Sequence, residues 1–166
     1  MDVFGVSKGL ALHNLMAVNK VVNALDGELH LRDDDDLKII DVARFHPQKS
    51  IDRLIKAHKY VLDKGIHHTL YLVGGGEEEE MLRELVKELN VEESVVFLGF
   101  QKNPYRDIKE CDLFVLSSLY EGFATIINES LIAGTPVLTT NVSGTDEQIT
   151  QKDYGWIVEN TQEALK

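Results

Sequence analysis

Short apolar runs alternate with amphipathic stretches along the chain from about Leu37 onward. Most of the runs are continuous and rich in Val, Leu and Ile, which is typical of strands buried on both faces of a parallel sheet. They predict six strands, which lie at Leu37–Ala43, Leu70–Val73, Val95–Leu98, Leu113–Leu116, Val137–Thr139 and Trp156–Val158.

The stretches between these runs carry apolar residues at helical spacing. Ser50 is a candidate N-cap for the first helix, and Asn90 is a candidate stop for the second. The predicted helices are Ile51–Leu62, Glu77–Leu89, Tyr105–Cys111, Thr125–Ala133, Thr145–Ile149 and a last one from Thr161. Alternating strands and helices predict an α/β fold with a doubly wound parallel sheet, which is Rossmann-like. Ligands of such folds bind beyond the carboxyl ends of the strands.

Residues 1–36 fit this scheme poorly. Ala11–Val22 has a helical pattern, and Lys20–Val22 could instead run into a strand. Asp33–Asp36 is interpreted as a solvated turn rather than a metal site, because four adjacent carboxylates repel each other. We therefore treat residues 1–36 as an interdomain segment or an edge of the domain, and residues 37–166 as the domain itself.

Charge and composition exclude several classes of protein. The chain of 166 residues has 17 Lys and Arg against 28 Asp and Glu, a net charge of −11 that disfavours binding to nucleic acid or to an anionic membrane. The single cysteine, Cys111, cannot form an intrachain disulfide, which is expected of a reducing compartment. The start of the chain does not resemble a signal peptide, and the sequence contains no apolar stretch long enough for a transmembrane helix. These features predict a cytoplasmic location, and the six scattered histidines do not predict a zinc site.

Candidate binding residues follow the first three predicted strands. Arg44 and Lys49 form a cationic pair on a strand-to-helix turn, which suits a diphosphate, although two solvated surface charges would give the same pattern. Gly74–Gly76 would allow a backbone to approach a ligand or to turn sharply, but they match neither of the common nucleotide fingerprints. The loop at Phe100–Lys102 follows the third strand.

Two carboxylates follow the fourth predicted strand. Glu121 lies in the loop before a helix, and Glu129 lies about one turn inside that helix among apolar residues. Carboxylates in such settings usually have a polar partner, and sugar or ribose hydroxyls are suitable ones. Gly122 and the helix N-terminus offer N–H groups to a phosphate. A structural carboxylate that caps the loop remains the alternative for either residue.

Five motifs taken in order resemble the C-terminal half of GT-B glycosyltransferases, most closely the retaining glycosyltransferase family 4, also called group 1. The resemblance covers about Leu37–Leu165. The motifs are Ala43-Arg44-Phe45 with Pro47 and Lys49-Ser50, Val73-Gly74-Gly75-Gly76, Phe97-Leu98-Gly99-Phe100, Glu121-Gly122-Phe123 with Glu129-Ser130, and Ala133-Gly134-Thr135-Pro136-Val137.

The resemblance implies a role for each matched position. Arg44 and Lys49 would bind the donor diphosphate and offset the charge on the leaving nucleotide, and Glu121 would hydrogen-bond the donor sugar; these three are the expected catalytic residues. Glu129 would hold the ribose. The expected donor-binding residues are Gly74, Phe100, Gln101, Lys102, Gly122, Phe123, Ala124, Thr125 and Glu129.

The implied reaction moves a sugar from a nucleotide-diphosphate sugar, with a UDP-sugar expected, to an acceptor hydroxyl with retention. Neither a metal nor a cofactor is expected. The acceptor glycan or lipid-linked glycan would bind an N-terminal domain that the roughly 36 residues before the match are too few to form. The chain alone is therefore expected to be inactive and to stop short of the family's C-terminal helices.

The resemblance also implies a place in the cell, because capsule or lipopolysaccharide synthesis is the common destination of the family. The location would be cytoplasmic, at the inner face of the membrane where the N-terminal domain reaches it. The alternatives are a nucleotide-sugar epimerase, a phosphorylase-like GT-B enzyme, or a non-catalytic Rossmann-like binding module. A receiver-type module would need an acidic pocket after an early strand, where this chain is basic.

Overall fold

The computed structural model describes residues 18–151 and 153–166. In this part of the chain six parallel strands form one sheet in the order β3-β2-β1-β4-β5-β6. The predicted doubly wound α/β fold and its six strands are confirmed. The strands are β1 Leu37–Arg44, β2 His68–Gly75, β3 Val95–Gly99, β4 Leu113–Leu116, β5 Val137–Thr140 and β6 Gly155–Val158.

Apolar side chains from the central strands pack on both faces of the sheet, as the continuous runs predicted. In β2, Tyr71 and Val73 pack into one buried cluster, whereas Leu70 and Leu72 pack into the other. All four side chains are at most 1% exposed. This burial on both faces is why the strand reads as a continuous apolar run rather than an alternating one.

Helices and one short 3₁₀ turn connect the strands. The elements are α1 Val18–Val22, the 3₁₀ turn Pro47–Lys49, α2 Ile51–Asp63, α3 Glu79–Glu88, α4 Tyr105–Lys109, α5 Thr125–Ala133 and α6 Thr145–Gln148. The prediction for α5 is confirmed at both ends. Ser50 precedes α2 with a φ of +50°, but its side chain makes no capping hydrogen bond to the helix. Asn90 follows α3 with a φ of +55°, which agrees with its expected role as a stop.

The helix predicted from Thr161 is wrong, because residues 161–166 form turns. Their hydrogen bonds span three residues, from Ala164 N to Thr161 Oγ1 and from Lys166 N to the carbonyl of Glu163. Leu165 is buried, so it anchors this segment to the domain without helical hydrogen bonds.

Residues 18–36 pack along an edge of the domain. Val21 of α1 is buried, and Lys20–Val22 is helical, so the alternative of a strand there is wrong. The carboxylate of Asp107 accepts from the backbone N–H of His30 at 2.7 Å and contacts its Nδ1 at 2.9 Å. Asp33–Asp36 is exposed in a series of bends, as predicted. The rest of the helix predicted over Ala11–Val22 lies outside the described residues.

The strand order reverses its direction between β1 and β4. From β1 the chain moves outward to β2 and β3, and it then returns to the other side of β1 to form β4, β5 and β6. The loops that follow β1 and β4 therefore meet at the switch point, which is where such sheets bind ligands. Among residues 18–151 and 153–166, we find no helix with the length and apolar character to cross a membrane.

Candidate functional site

The loops after β1 and β4 are joined by an ion pair between Lys49 and Glu121. The distance from Lys49 Nζ to Glu121 Oε1 is 2.5 Å, and the two side chains are 22% and 9% exposed. The residues are 72 positions apart in the sequence. The structure therefore brings together two predicted site residues, one cationic and one anionic, at the switch point of the sheet.

Hydroxyl and amide groups complete the surroundings of the Glu121 carboxylate. Ser118 Oγ donates to Glu121 Oε1 at 2.7 Å, and Gln48 Nε2 approaches Oε2 at 3.4 Å. Gln48 also donates to the carbonyl of Tyr120 at 2.8 Å. Neither Ser118 nor Gln48 belongs to a recognisable motif, so only their positions soon after strands could have indicated a role.

The backbone around Lys49 is fixed by bonds to the neighbouring strand and turn. Ser117 Oγ donates to the carbonyl of Lys49 at 2.9 Å, and the Lys49 N–H donates to the carbonyl of His46 at 2.8 Å. The N–H of Gln48 donates to His46 Nδ1 at 3.2 Å. These bonds fix the backbone of Lys49 between β1 and α2.

Arg44 lies at the exposed end of β1, on the rim of a separate cavity of about 390 Å³. Within the described part of the chain, no carboxylate forms an ion pair with its guanidinium. The cavity is lined by Val42, Ala43, Arg44, Val73, Gly74, Gly75, Phe100 and Gln101. The structure thus gathers four predicted site residues at one opening, while Lys102 is exposed on the same loop but does not line it.

Phe100 and Gln101 present contrasting surfaces at this cavity. The Phe100 side chain is 84% exposed. Both polar atoms of the Gln101 amide are buried, and neither has a hydrogen-bond partner. An exposed ring beside an unsatisfied amide can accept a flat heteroaromatic ligand that offers both a donor and an acceptor.

The glycine run lies close to the backbone of the neighbouring strand. Gly74 has a φ of +146°, and a Cβ there would lie 1.8 Å from the carbonyl oxygen of Ala43 in β1. A Cβ on Gly76 would lie 2.3 Å from the carbonyl oxygen of Phe45. Strand packing alone therefore requires glycine at both positions, and the role of Gly74 in donor binding stays a prediction.

The N-terminus of α5 contacts α6 and the loop that precedes α6. Gln148 Nε2 donates to the carbonyl of Ala124 at 2.8 Å. A Cβ on Gly144 would lie 2.8 Å from the ring of Phe123, so these two loops are in close contact. Gly122 is exposed and has open space around it, and Thr125 is the first residue of the helix. The N–H groups at the start of α5 are thus held in place next to Glu121.

Glu129 lies in the fifth position of α5, about one turn inside the helix as predicted. Its neighbour across the helix pair is Tyr105 of α4. Burial raises the pKa of the Tyr105 hydroxyl, and the nearby Glu129 carboxylate raises it further. In the described residues no hydrogen bond links Glu129 to Lys49 or Glu121, so it is a separate part of the site.

Asp41 is a further carboxylate, buried inside the central strand β1. Its side chain is 1% exposed, and its Oδ2 has no hydrogen-bond partner. Burial raises the pKa of Asp41 to about 7, with an opposing effect from Lys49 and a smaller one in the same direction from Glu121. Asp41 lies within the predicted apolar run Leu37–Ala43, and a lone carboxylate in such a run is itself a signal that the sequence offered.

Groups of three or more side chains suited to hold a metal ion are absent from residues 18–151 and 153–166. At the ends of β1 and β4, the Lys49–Glu121 ion pair lies near the N-terminus of α5, and Arg44 lies at the neighbouring cavity.

Sequence comparison gives the family. The model of the family "Glycosyl transferases group 1" matches residues 27–166, so the chain belongs to the group 1 glycosyltransferases. The predicted family is confirmed.

Three similar proteins illustrate the relationship. One is the N-acetylgalactosamine-N,N'-diacetylbacillosaminyl-diphospho-undecaprenol 4-alpha-N-acetylgalactosaminyltransferase of Campylobacter jejuni, 33% identical over 68% of this chain and 36% of that protein. Another is the capsular polysaccharide biosynthesis glycosyltransferase CapM of Staphylococcus aureus, 29% identical over 94% of this chain and 40% of that protein. The crystal structure of Anabaena HepE in complex with UDP and glucose superposes with a TM-score of 0.70, at 25% identity, over 79% of this chain and 37% of that one. The chain thus spans well under half the length of these relatives.

Proposed function

We propose that this chain is the donor-binding domain of a glycosyltransferase that moves a sugar from a nucleotide-diphosphate sugar to an acceptor hydroxyl with retention of configuration. The observation that carries the proposal is the contact of Lys49 with Glu121 at 2.5 Å across the switch point between β1 and β4. The diphosphate of such a donor needs a cation, and the hydroxyl groups of the adjoining sugar need a hydrogen-bond acceptor beside that cation. These two residues offer both at the edge of the sheet where ligands bind.

In this proposal Arg44 and Lys49 bind the diphosphate. Their positive charges offset the negative charge that develops on the nucleotide as the bond to the sugar breaks. The N-terminus of α5, at Gly122–Thr125, adds backbone N–H donors and a favourable helix dipole. The cationic groups do the work that a divalent ion would otherwise do, so we propose that the reaction needs neither a metal nor another cofactor.

The two carboxylates hold hydroxyl groups of the donor. Glu121 binds the sugar once the diphosphate has drawn Lys49 away from it, and Glu129 binds the ribose. Phe100 and Gln101 flank the base, which would stack on the exposed ring and hydrogen-bond to the unsatisfied amide. We propose a UDP-sugar as donor, since the HepE structure that superposes on this chain holds UDP and glucose.

In this proposal the acceptor binds to another part of a longer enzyme. An N-terminal domain binds a glycan or a lipid-linked glycan and brings it to the donor, at the inner face of the cytoplasmic membrane. The names of the Campylobacter and Staphylococcus relatives, which concern an undecaprenol-linked glycan and a capsule, support synthesis of a surface polysaccharide. The chain by itself binds the donor but does not transfer the sugar.

Nucleotide titration followed by NMR tests the donor site directly. UDP, GDP and ADP are each added to the chain, and we expect one of them to shift the backbone amide signals of Arg44, Phe100 and residues 121–129. Lys49→Ala and Glu129→Ala should each weaken this binding. Lys56→Ala is the matched control, because Lys56 pairs with Asp52 on the exposed face of α2, and it should bind as the unaltered chain does.

Two results would count against the proposal. If none of the three nucleotides shifts any amide at millimolar concentration, the chain has no donor site. If binding occurs but shifts residues away from the crevice, or if Lys49→Ala binds as tightly as Lys56→Ala, the site has been placed wrongly.

A further inference from the structure

The loop that carries Phe100 and Gln101 has no regular structure to hold it in place. Residues 100–104 connect β3 to α4 and belong to neither a helix nor a strand. The Phe100 ring is 84% exposed, and the amide of Gln101 has no hydrogen-bond partner. Neither of these side chains fixes the loop, so its position must be set by another contact.

The side chain of Asn103 supplies that contact. Its Nδ2 donates to the carbonyl of Ala24 at 3.1 Å, and its Oδ1 accepts from the backbone N–H of Tyr105 at 3.3 Å. Within the described part of the chain, the hydrogen bonds found for residues 100–103 all involve this side chain. One amide thus joins the loop to the start of α4 and to a segment 79 positions earlier in the sequence.

The segment that contains Ala24 is itself anchored to the domain. The preceding helix, α1, packs against α5 and buries a side chain in the core. After Ala24, the backbone N–H of His30 donates to the carboxylate of Asp107 at 2.7 Å, and that of Arg32 donates to the hydroxyl of Tyr71 at 3.1 Å. The carbonyl that Asn103 binds is therefore held on both sides.

Gly27 leaves the space that the Asn103 amide occupies. A Cβ on Gly27 would lie 2.7 Å from Asn103 Nδ2 and 3.3 Å from the carbonyl oxygen of Ala24. The backbone of Gly27 does not have a positive φ, so its conformation does not call for glycine. The missing side chain instead makes room for the contact between Asn103 and Ala24.

We propose that Asn103 is a positioning residue for donor binding, which anchors residues 100–102 to residues 24–27 and so sets the place where the nucleotide base binds. The inference rests on the proposed function, in which Phe100 and Gln101 flank the base. A loop that is already held in its binding position loses less conformational freedom when the ligand arrives, so the affinity is higher. The diphosphate binds to other loops in that proposal and should not depend on Asn103.

Calorimetry with UDP tests this role on two variants that alter the same contact from opposite sides. Asn103→Ser keeps an oxygen that can accept from the Tyr105 N–H but is too short to reach Ala24. Gly27→Ala keeps the amide but crowds it. We expect each variant to weaken UDP binding roughly threefold to tenfold, which is the cost of ordering one or two side chains on binding. Asn23→Ala is the matched control, because Asn23 is exposed on the same segment.

Two further measurements separate an effect on the base from general damage to the domain. Inorganic pyrophosphate has neither base nor ribose, so its affinity in NMR titrations should agree within about twofold for both variants and the unaltered chain. In the unliganded variants, ¹⁵N relaxation should show that residues 100–102 are more mobile than in the unaltered chain. The double variant should bind UDP no more weakly than Asn103→Ser, because the shorter side chain leaves room for the new methyl group.

Three results would overturn the role of Asn103 while the donor site stands. The first is that both variants bind UDP as tightly as Asn23→Ala does. The second is that UDP and pyrophosphate lose affinity equally, and the third is that the mobility of residues 100–102 is unchanged in both variants. If UDP does not bind the unaltered chain, the role of Asn103 and the proposed function fall together.

Discussion

Lys49 and Glu121 neutralise each other across the crevice, with 2.5 Å between Nζ and Oε1. In the proposed function, the diphosphate binds Lys49 and the sugar binds Glu121, so the donor must break this contact and replace it on both sides. The two halves of the proposed donor would then be coupled, because binding of either half releases one residue of the pair from the other.

Glu121→Gln should raise the affinity for UDP, because Lys49 then loses its competing carboxylate. We expect a gain of roughly threefold to tenfold, the range for a partly buried ion pair. The advantage of UDP-glucose over UDP should shrink in the same variant, because the amide is a weaker acceptor for sugar hydroxyls. Calorimetry with both ligands checks this, and Glu110→Gln, which removes a surface pair with Arg106, is the control. An unchanged UDP affinity would show that the diphosphate does not compete for Lys49.

Arg44→Ala should weaken UDP binding about tenfold and leave the stability of the fold nearly unchanged. The side chain is exposed at the end of β1 and forms no ion pair with the described residues, so its loss should change the free energy of unfolding by no more than about 0.5 kcal/mol. Urea denaturation and calorimetry measure the two quantities. Added salt should reduce the difference in affinity between variant and parent. A large loss of stability with no loss of affinity would assign Arg44 to the fold rather than to the ligand.

Asp41→Asn should change how the stability depends on pH. The pKa of Asp41 is raised from 3.8 to about 7 by burial, so its stabilising contribution is complete below pH 3.8 and is lost as the pH rises towards 7. Between pH 5 and pH 8 the unaltered chain should lose roughly 3 kcal/mol relative to the variant. Urea denaturation of both proteins at the two pH values gives this difference. Parallel pH profiles would mean that Asp41 ionises in the folded chain as it does in the unfolded one.

His58 should give the opposite dependence on pH. Burial, assisted by His68, lowers the pKa of His58 from 6.5 to about 3. The ring is held neutral by contacts of its Nδ1 with His68 Nε2 at 2.7 Å and of its Nε2 with Ser94 Oγ at 2.8 Å. Its stabilising contribution is therefore present above pH 6.5 and is lost as the pH falls towards 3. From pH 6.5 to pH 5 this loss amounts to about 2 kcal/mol.

The variant His58→Gln removes this dependence, and His67→Gln is its matched control. His67 is exposed next to the buried His68, so its replacement should leave the pH profile as it is. Urea denaturation at pH 5 and pH 6.5 measures both variants. A profile for His58→Gln that follows the parent over this range would place the acid sensitivity elsewhere. Between pH 5 and 6.5 the ionisations of Asp41 and His58 change the free energy of unfolding in opposite directions. The two effects partly cancel in the unaltered chain, so each is measured in a single variant.

Gly74→Ala should destabilise the fold strongly, because its new Cβ would meet the carbonyl of Ala43 at 1.8 Å in a left-handed backbone conformation. We expect a loss of at least about 3 kcal/mol. Gly122→Ala is the matched control, since no atom lies within 4 Å of a Cβ there, and its cost should stay below about 1 kcal/mol. Thermal denaturation compares the two. Equal losses would contradict the close approach of β2 to β1 at this glycine.

The secondary-structure elements and the fold class could be predicted from the pattern of residues alone. Continuous apolar runs located all six strands, and helical spacing located α5 at both of its ends, because burial on one or two faces imposes its period on the residues of each element. The order of the five motifs also identified the family, which the match over residues 27–166 confirms. The helix predicted from Thr161 is wrong because turns and short helices contain the same kinds of residue.

Which side chains contact each other depends on the three-dimensional fold. The strand order sets β1 beside β4 and so brings Lys49 onto Glu121, a contact over 72 positions that no local period encodes. It also places the carbonyl of Ala43 against Gly74, which leaves no room for a side chain there, and it buries the carboxylate of Asp41 inside the sheet. Periodicity reports whether a side chain is buried, but the partner of a buried or charged group depends on how the strands are ordered in space.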